Sequence, residues 1–454
     1  MTRMSLFAAG LCLLLVRPVS AQVPLTLQDA VARARQEHPD VRQADARVVQ
    51  ADGRVRESRA GFLPRLEMAE GWQRSDMPVF AFSSLLSQRR FSASDFDIDR
   101  LNRPDAVTNF RSAVMVEQSL FDATLRAASK AASLQLEMAG LGRDQVRQEI
   151  AVATAEAFGH VRLFDAMDAA ARAAVEAATE DRRRAGDRRD AGLATDADVL
   201  VMTVHLSTMR ERQVSAAAEL GIARARLNQL MGAPLDAVFV LVGDQASAPA
   251  AVGGGAAVPA GSASVAPGGG SVDETAALAA RPDVRLAAAG ERLAEQEMRA
   301  VRTAFLPQVV ARAAAEWNGA TFTDRAAGWM AGVDVRLNLF RVFADRARLG
   351  QARAVVDERR IARAAVEDRA RLDVRAASAR LAAAEARVEL SRAAVEAARE
   401  SQRIIRDRYE NGLADVAALL RAAQSTLDAD AQAISADSDR ATHRARLDAA
   451  LGRL

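Results

Sequence analysis

The side chains of this chain that could carry metal or acid–base chemistry are few and scattered. Histidine is the residue type most able to bind a metal or to transfer a proton near neutral pH. The sequence has four histidines, and none has a second ligand at metal-binding spacing: His38, His160, His205 and His443. An HExxH pair, a nucleophile elbow and a Walker phosphate-binding pattern are all missing from the sequence. We therefore expect no enzyme activity, no metal site and no cofactor.

The N-terminus predicts export from the cytoplasm. Arg3 precedes an apolar run from Leu6 to Val16, and Val19-Ser20-Ala21 follows as a small-residue cleavage pattern. These features predict a secretory signal peptide over residues 1–21. No later stretch approaches the roughly 18–20 uncharged apolar residues of a transmembrane helix. The only cysteine, Cys12, lies inside the apolar run after a leucine, so we expect neither lipidation nor a disulfide.

Charge balance argues against nucleic acid as a partner. The full chain has 61 basic and 59 acidic residues, and removal of residues 1–21 takes away two arginines and no acid. The mature chain is thus close to neutral. A nucleic-acid-binding protein is expected to carry a basic surplus on one face.

The sequence contains an internal repeat that covers most of the chain. Pro39-Asp40-Val41-Arg42 returns 243 positions later from Pro282, and Phe62-Leu63-Pro64 returns at the same offset from Phe305. Gly192-Leu193-Ala194 returns 220 positions later from Gly412. Ordered self-similarity of this kind indicates a duplicated structural unit. We predict a first repeat over residues 22–243, a flexible linker rich in Gly, Ala and Pro over 244–271, and a second repeat over 272–454.

Each repeat predicts one very long helix between two shorter ones. Residues 122–188 and 341–407 are rich in Ala, Arg, Glu and Leu and contain no proline, so each helix would be about 100 Å long at 1.5 Å per residue. Apolar spacing predicts a helix over 25–60, interrupted at Pro39, and return helices over 196–232 and 416–451. The shorter helices, stacked end to end, would match the long one.

Alternating residues predict two strands in each repeat. Leu66, Met68 and Trp72 would share one face of a strand, with Arg65 and Glu67 on the other. Val114 and Val116 oppose Met115, Glu117 and Ser119, and Trp329, Ala331, Val333, Val335, Leu337 and Leu339 oppose Asp334, Arg336 and Asn338. The offset between the two copies falls from 243 before the strands to 220 after them. The first repeat therefore has the longer strand-to-strand loop, around residues 76–110.

Strands of about eleven residues with one apolar face suit a tilted crossing of a hydrocarbon layer. A strand half-buried in a soluble core would show the same alternation, and a generic coiled coil would explain the alanine-rich helices equally well. Four strands are too few to close a barrel, and an open sheet edge is not tolerated in lipid. A membrane protein of this design must therefore pool strands from several chains.

The chain resembles the TolC-like outer-membrane efflux protein family. The resemblance rests on Phe62-Leu63-Pro64 with its copy at Phe305, on Leu120-Phe121 with its copy at Leu339, and on the segment Arg408-Tyr409-Glu410-Asn411-Gly412-Leu413. It implies a mainly α fold with a membrane β-barrel portion. In that fold a homotrimer builds a 12-stranded barrel in outer-membrane lipid and, continuous with it, a periplasmic barrel of long helices. It also implies docking to a periplasmic adaptor (membrane fusion) protein and an inner-membrane pump.

The resemblance places two sites at the helix-hairpin turns. The turns at Gly192-Leu193 and Gly412-Leu413 would be the adaptor-docking tips, with a leucine exposed on each and with Arg188, Arg189 and Arg408 beside them. Ordinary helix capping would explain the same residues equally well. The gate of the tube would lie where the two copies differ most. Tyr409 and Asp198 match positions that link neighbouring helices in the family, and Arg421 stands where a luminal aspartate would be. The sequence therefore does not establish a cation-selecting acidic ring.

These features predict a passive outer-membrane exit duct of a tripartite efflux or type I secretion system, with most of its mass in the periplasm of a Gram-negative bacterium. The alternative is a periplasmic adaptor or coiled-coil scaffold without its own pore. The sequence does not identify the cargo.

Overall fold

The computed structural model describes residues 23–242, 274–303, 305–338 and 343–453. The predicted signal peptide, the predicted linker and the second Leu-Phe strand exit at residues 339–340 lie outside the described residues. Within them the chain is mainly helical, and one order of elements occurs twice: short helices, two strands, a long helix and a return helix.

The first set of elements comprises β1 (Val23–Leu25), α1 (Leu27–Glu37), α2 (Pro39–Ala60), β2 (Arg65–Ser75), α3 (Pro78–Ser87), a 3-10 turn (Ala93–Phe96), α4 (Ile98–Asn102), β3 (Val107–Phe121), α5 (Ala123–Asp190), α6 (Asp196–Leu230) and β4 (Phe239–Leu241). The second comprises α7 (Glu274–Ala280), α8 (Pro282–Thr303), β5 (Gln308–Gly319), β6 (Ala326–Arg336), α9 (Ala344–Glu410) and α10 (Val416–Ala450). The predicted helix break falls at Pro39, which opens α2 at its first turn.

The two long helices dominate the fold, as predicted. α5 has 68 residues and α9 has 67, so each is about 100 Å long. Asp122 caps the start of α5 by accepting the backbone N–H groups of Thr124 and Leu125. α6, α2 and α1 pack along α5, and α10 and α8 pack along α9, while α5 also contacts α8 and α10 and so joins the two halves. No described helix has both the length and the apolar character needed to cross a membrane.

Alanine makes the close packing of these helices possible. Ala151 on α5 and Ala370 on α9 are completely buried, and most of the buried α5 residues are small. Small side chains let helix backbones approach one another. The helices are therefore held by a thin seam of small apolar contacts rather than by one broad core.

The four long strands form one antiparallel sheet in the order β2-β3-β5-β6. The register pairs Leu66 with Val116 and Met68 with Val114, and it continues through Ala315 to Trp329. Paired residues lie on the same face of a sheet, so the predicted apolar face is continuous across all four strands. β2 and β6 form the two edges, and neither has a further strand partner among the described residues.

The apolar face of the sheet carries one charged cluster that the alternation did not predict. Glu70 lies on this face, where it accepts a hydrogen bond from Ser112 and pairs with Arg325, whose Nη2 lies 3.2 Å from Glu70 Oε1. Arg325 reaches this position across Gly319, where an added Cβ would lie 2.8 Å from the Arg325 Cγ. The pair neutralises a carboxylate that would otherwise stand alone among apolar side chains.

The long first connection, residues 76–106, folds back over the polar face of the sheet. The predicted loop there contains α3 and α4 rather than irregular chain alone. Gln88 Nε2 donates to the Thr108 carbonyl at 2.8 Å and to Asn109 Oδ1 at 3.1 Å, and Asn109 Nδ2 donates to Asn318 Oδ1 at 2.8 Å. The second connection, residues 320–325, is short. The predicted difference in loop length is thus present.

Candidate functional site

The two helix hairpins end in turns of the same geometry. Gly192 and Gly412 both have φ of +72°, in the left-handed region that glycine adopts without strain. Leu193 N–H donates to the Arg188 carbonyl, and Leu413 N–H donates to the Arg408 carbonyl, both at 2.8 Å. These are the bonds of a Schellman helix C-cap. The repeated Gly-Leu pair therefore encodes the same turn twice.

The leucine after each glycine is open to solvent. Leu193 and Leu413 are each 69% exposed. In a Schellman cap the residue after the glycine commonly packs on an apolar side chain one turn back in the helix. That position is occupied by Arg188 in one hairpin and by Arg408 in the other, so neither leucine has an apolar neighbour there. Each hairpin presents an uncovered apolar side chain at its end.

One arginine ties the two hairpin ends together. Arg188 Nη1 donates to the Glu410 carbonyl at 2.9 Å, and its guanidinium carbon lies 4.9 Å from the centre of the Tyr409 ring. Arg184 Nη1 donates to Glu410 Oε1 at 3.1 Å. Arg408, the copy of Arg188, is exposed and makes no side-chain hydrogen bond or ion pair with a described residue. The duplicated arginines therefore have different surroundings.

A small apolar cluster lies directly behind this contact. It contains five buried residues from both hairpins: Ala185, Met202, Tyr409, Val416 and Leu419. Arg406 Nη2 approaches Asp181 Oδ2 at 3.4 Å beside the cluster. The tips are thus packed and paired to each other within a single protomer.

Tyr409 combines a packed ring with an unpaired hydroxyl. The residue is 9% exposed, and its hydroxyl has no hydrogen-bond partner among the described residues. Burial raises the pKa of this hydroxyl, and the Arg188 charge opposes that shift. The nearby Asp198 and Asp181 charges raise the pKa further. Tyr409 therefore stays a neutral hydrogen-bond donor at physiological pH.

The structure does not join the three predicted gate residues within one protomer. Asp198 Oδ2 accepts the Thr195 backbone N–H at 2.8 Å and the Thr195 hydroxyl at 2.9 Å, so it closes a capping box at the start of α6. The Asp198 carboxylate acts on Tyr409 only through its charge. Arg421 is exposed on α10 and makes no ion pair with the described residues. The local cap satisfies Asp198 because Thr195 is only three residues away.

Sequence reasoning missed the residues that make most of these contacts. No pattern in the sequence singled out Arg184, Asp181 or Arg406, and Glu410 appeared only within the segment that carries the family resemblance. Their pairing depends on the approach of two hairpins more than 200 positions apart in the chain. A signal was present in the sequence only at Asp198, where Thr195 three residues earlier matches a helix N-cap.

Comparison with known proteins agrees with this architecture. The outer membrane channel OprN has a TM-score of 0.75 at 19% identity, with 94% of this chain and 90% of OprN covered. VceC from Vibrio cholerae has a TM-score of 0.73 at 19% identity, covering 94% of this chain and 96% of VceC. CmeC from Campylobacter jejuni has a TM-score of 0.74 at 16% identity, covering 94% of this chain and 85% of CmeC. No curated protein matches the chain by sequence.

The family assignment rests on the sequence itself. The family model described as outer membrane efflux protein matches residues 30–233 and 275–453, which include both hairpins and all four long strands. The similar solved structures share the fold at identities below 20%. The predicted resemblance is confirmed, and the chain belongs to the outer membrane efflux protein family.

Proposed function

We propose that this chain forms the passive outer-membrane exit duct of a tripartite efflux or type I secretion system. The observation that carries the proposal is a four-stranded sheet with one uncovered apolar face, joined directly to helices about 100 Å long. The sheet would lie in the outer membrane, and the helices would extend into the periplasm. The energy for transport would come from the inner-membrane pump.

The apolar face supports the membrane assignment. Met68 is 75% exposed, Trp329 83% and Val333 60%, and no described helix packs over this face. In water so large an apolar face would need a cover. The strands have 11 to 15 residues, which suits a tilted crossing of the hydrocarbon layer. Lipid is the partner that fits.

The unpaired edges support assembly. Strand direction alternates across β2-β3-β5-β6, so β6 of one protomer would run antiparallel to β2 of the next. Such head-to-tail pairing closes a ring without leaving an edge in lipid. The family implies three copies, which gives 12 strands. Exposed Val204 on α6 and Ile361 on α9 are suited to contacts between neighbouring protomers in the helical part.

The hairpin ends support docking to a partner. Leu193 and Leu413 lie at the end of the long helices, far from the sheet, where a periplasmic adaptor would meet the duct. The alternative of an adaptor or scaffold without a pore predicts strands folded into a compact soluble domain, whereas here the apolar face is open. Membership of the family also favours the channel.

The membrane assignment is tested by placing the same charge on opposite faces of β6. Val333 lies on the apolar face and Met330 on the polar face. Arginine on a lipid-facing position near the midplane costs about 2–4 kcal/mol, whereas a lumen-facing position tolerates charge. We expect Val333→Arg to lower the amount of protein in the outer-membrane fraction, and Met330→Arg to retain it. Wild-type protein in the soluble periplasmic fraction, or equal behaviour of the two variants, would contradict the proposal.

A further inference from the structure

The polar face of the sheet carries as many positive as negative charges. The described strands β2, β3, β5 and β6 place four arginines and four carboxylates on this face: Arg65, Arg111, Arg312, Arg336, Glu67, Glu117, Glu316 and Asp334. Their formal charges cancel. The charges come from all four strands, so the balance is a property of the whole wall rather than of one pair.

The opposite charges also lie next to each other. Arg312 bridges two strands, with its Nε donating to Glu117 Oε2 at 2.8 Å and its Nη1 lying 3.0 Å from Asp334 Oδ2. Arg111 Nε donates to Glu316 Oε2 at 3.2 Å across β3 and β5.

The remaining carboxylate on this face also has a partner. Arg65 Nη1 lies 3.7 Å from Glu67 Oε1. Three of the four arginines therefore pair with all four carboxylates, and Arg336 stands at the end of β6 next to the helical part.

We infer that the wall built by the four strands in the barrel segment of the duct is electrically neutral and does not sort the cargo by sign of charge. The inference rests on the proposed function, in which the polar face lines the lumen. Channels that prefer cations or anions carry rings of like charge. Paired charges produce fields that fall off much faster than those of single charges. In salt of 0.1 M the field of even a single charge is screened within about 10 Å.

The neutral wall bears on the charge of the cargo. A barrel with such a wall admits anionic, cationic and zwitterionic molecules equally well. Selection by charge, where the complex has any, would then belong to the helical tube, the tips or the pump. Arg312 is the residue on which the balance depends most, because it neutralises two carboxylates.

The test measures reversal potentials of purified wild-type protein and variants in planar bilayers under a KCl gradient. Arg312→Gln leaves one uncompensated negative charge per protomer, and Glu316→Gln leaves one positive charge. We expect the ratio of K⁺ to Cl⁻ permeability to rise roughly two- to threefold in the first variant and to fall by a similar factor in the second, because at 0.1 M salt a wall charge acts on ions within about 10 Å of it.

The matched control removes a pair without changing the net charge. The double variant Arg312→Gln with Glu117→Gln loses the same contact as Arg312→Gln, yet its wall stays neutral. We expect it to return to the wild-type permeability ratio.

Two results would overturn the inference. The double variant could shift as far as Arg312→Gln alone, which would mean that pore shape and not net charge sets the ratio. Alternatively, both single variants could keep the wild-type ratio, which would mean that the polar face does not line the path of the ions. Wild-type protein in the soluble periplasmic fraction rather than the outer membrane would instead overturn the proposed function, and the inference with it.

Discussion

Replacement of Arg188 by leucine should loosen the contact between the two hairpin ends. The change removes the guanidinium from above the Tyr409 ring, where the centre lies 4.9 Å away, and removes the hydrogen bond to the Glu410 carbonyl. A cation–π contact contributes at least about 0.5–1 kcal/mol, the value for exposed sites. A hydrogen bond from a charged donor contributes about 1.5 kcal/mol. The loss is therefore about 2 kcal/mol per protomer.

A loss of this size is large enough to change gating. About 2 kcal/mol corresponds to a factor of roughly 30 in the ratio of open to closed tips, because each 1.4 kcal/mol is a factor of ten. Leucine can still cover the Tyr409 ring, so the cluster behind the tips should stay packed. We expect single-channel recordings of Arg188→Leu in the absence of an adaptor to show a fraction of time in the high-conductance state at least tenfold above wild type.

The chain supplies its own control at the equivalent position of the second repeat. Arg408 is exposed and makes no side-chain hydrogen bond or ion pair with the described residues. Arg408→Leu removes the same charge from the same end of the molecule, and it should leave conductance at the wild-type level. Equal effects of the two substitutions, or wild-type conductance in both, would refute the assignment of Arg188 as the tie between the hairpins. Size-exclusion profiles of both variants should match wild type, which confirms intact assemblies.

Two further predictions concern the hairpin ends. Leu193→Glu combined with Leu413→Glu should abolish drug efflux in cells while the protein still assembles in the outer membrane, because each change puts a charge on a side chain that is 69% exposed and proposed to meet the adaptor. The control Val79→Glu changes an 81% exposed position in the connection at the far end of the sheet and should keep efflux. Normal drug resistance in the double variant would remove the docking role. Tyr409→Phe should raise single-channel conductance. The buried Tyr409 hydroxyl has no hydrogen-bond partner among the described residues, so it needs an acceptor from a neighbouring protomer. Unchanged conductance would assign Tyr409 to packing alone.

Local patterns in the sequence predicted most of the fold. The proline-free Ala, Arg, Glu and Leu runs predicted α5 and α9 to within three residues at each end, because helix propensity and apolar spacing act over neighbouring positions. Alternation predicted which side chains share a face of the sheet, and the Gly-Leu pairs predicted the two tight turns. All of these depend on residues that are close in the chain.

The features that were not predicted depend on contacts between distant residues. β1 and β4 have three residues each and pair in parallel although they lie more than 200 positions apart. Glu70 lies on the apolar face, where Arg325 from the connection between β5 and β6 reaches over Gly319 to pair with it. The Arg188 contact with Tyr409 likewise joins the two repeats. No period or local motif marks such partners in a single sequence.

The assembled architecture is the central claim, and electron microscopy of the detergent-extracted protein tests it most directly. We expect a threefold-symmetric cylinder whose helical part is about 100 Å long, as 67 or 68 residues at 1.5 Å each require, with a shorter barrel at one end. A soluble, elongated monomer without a ring of strands would contradict the claim.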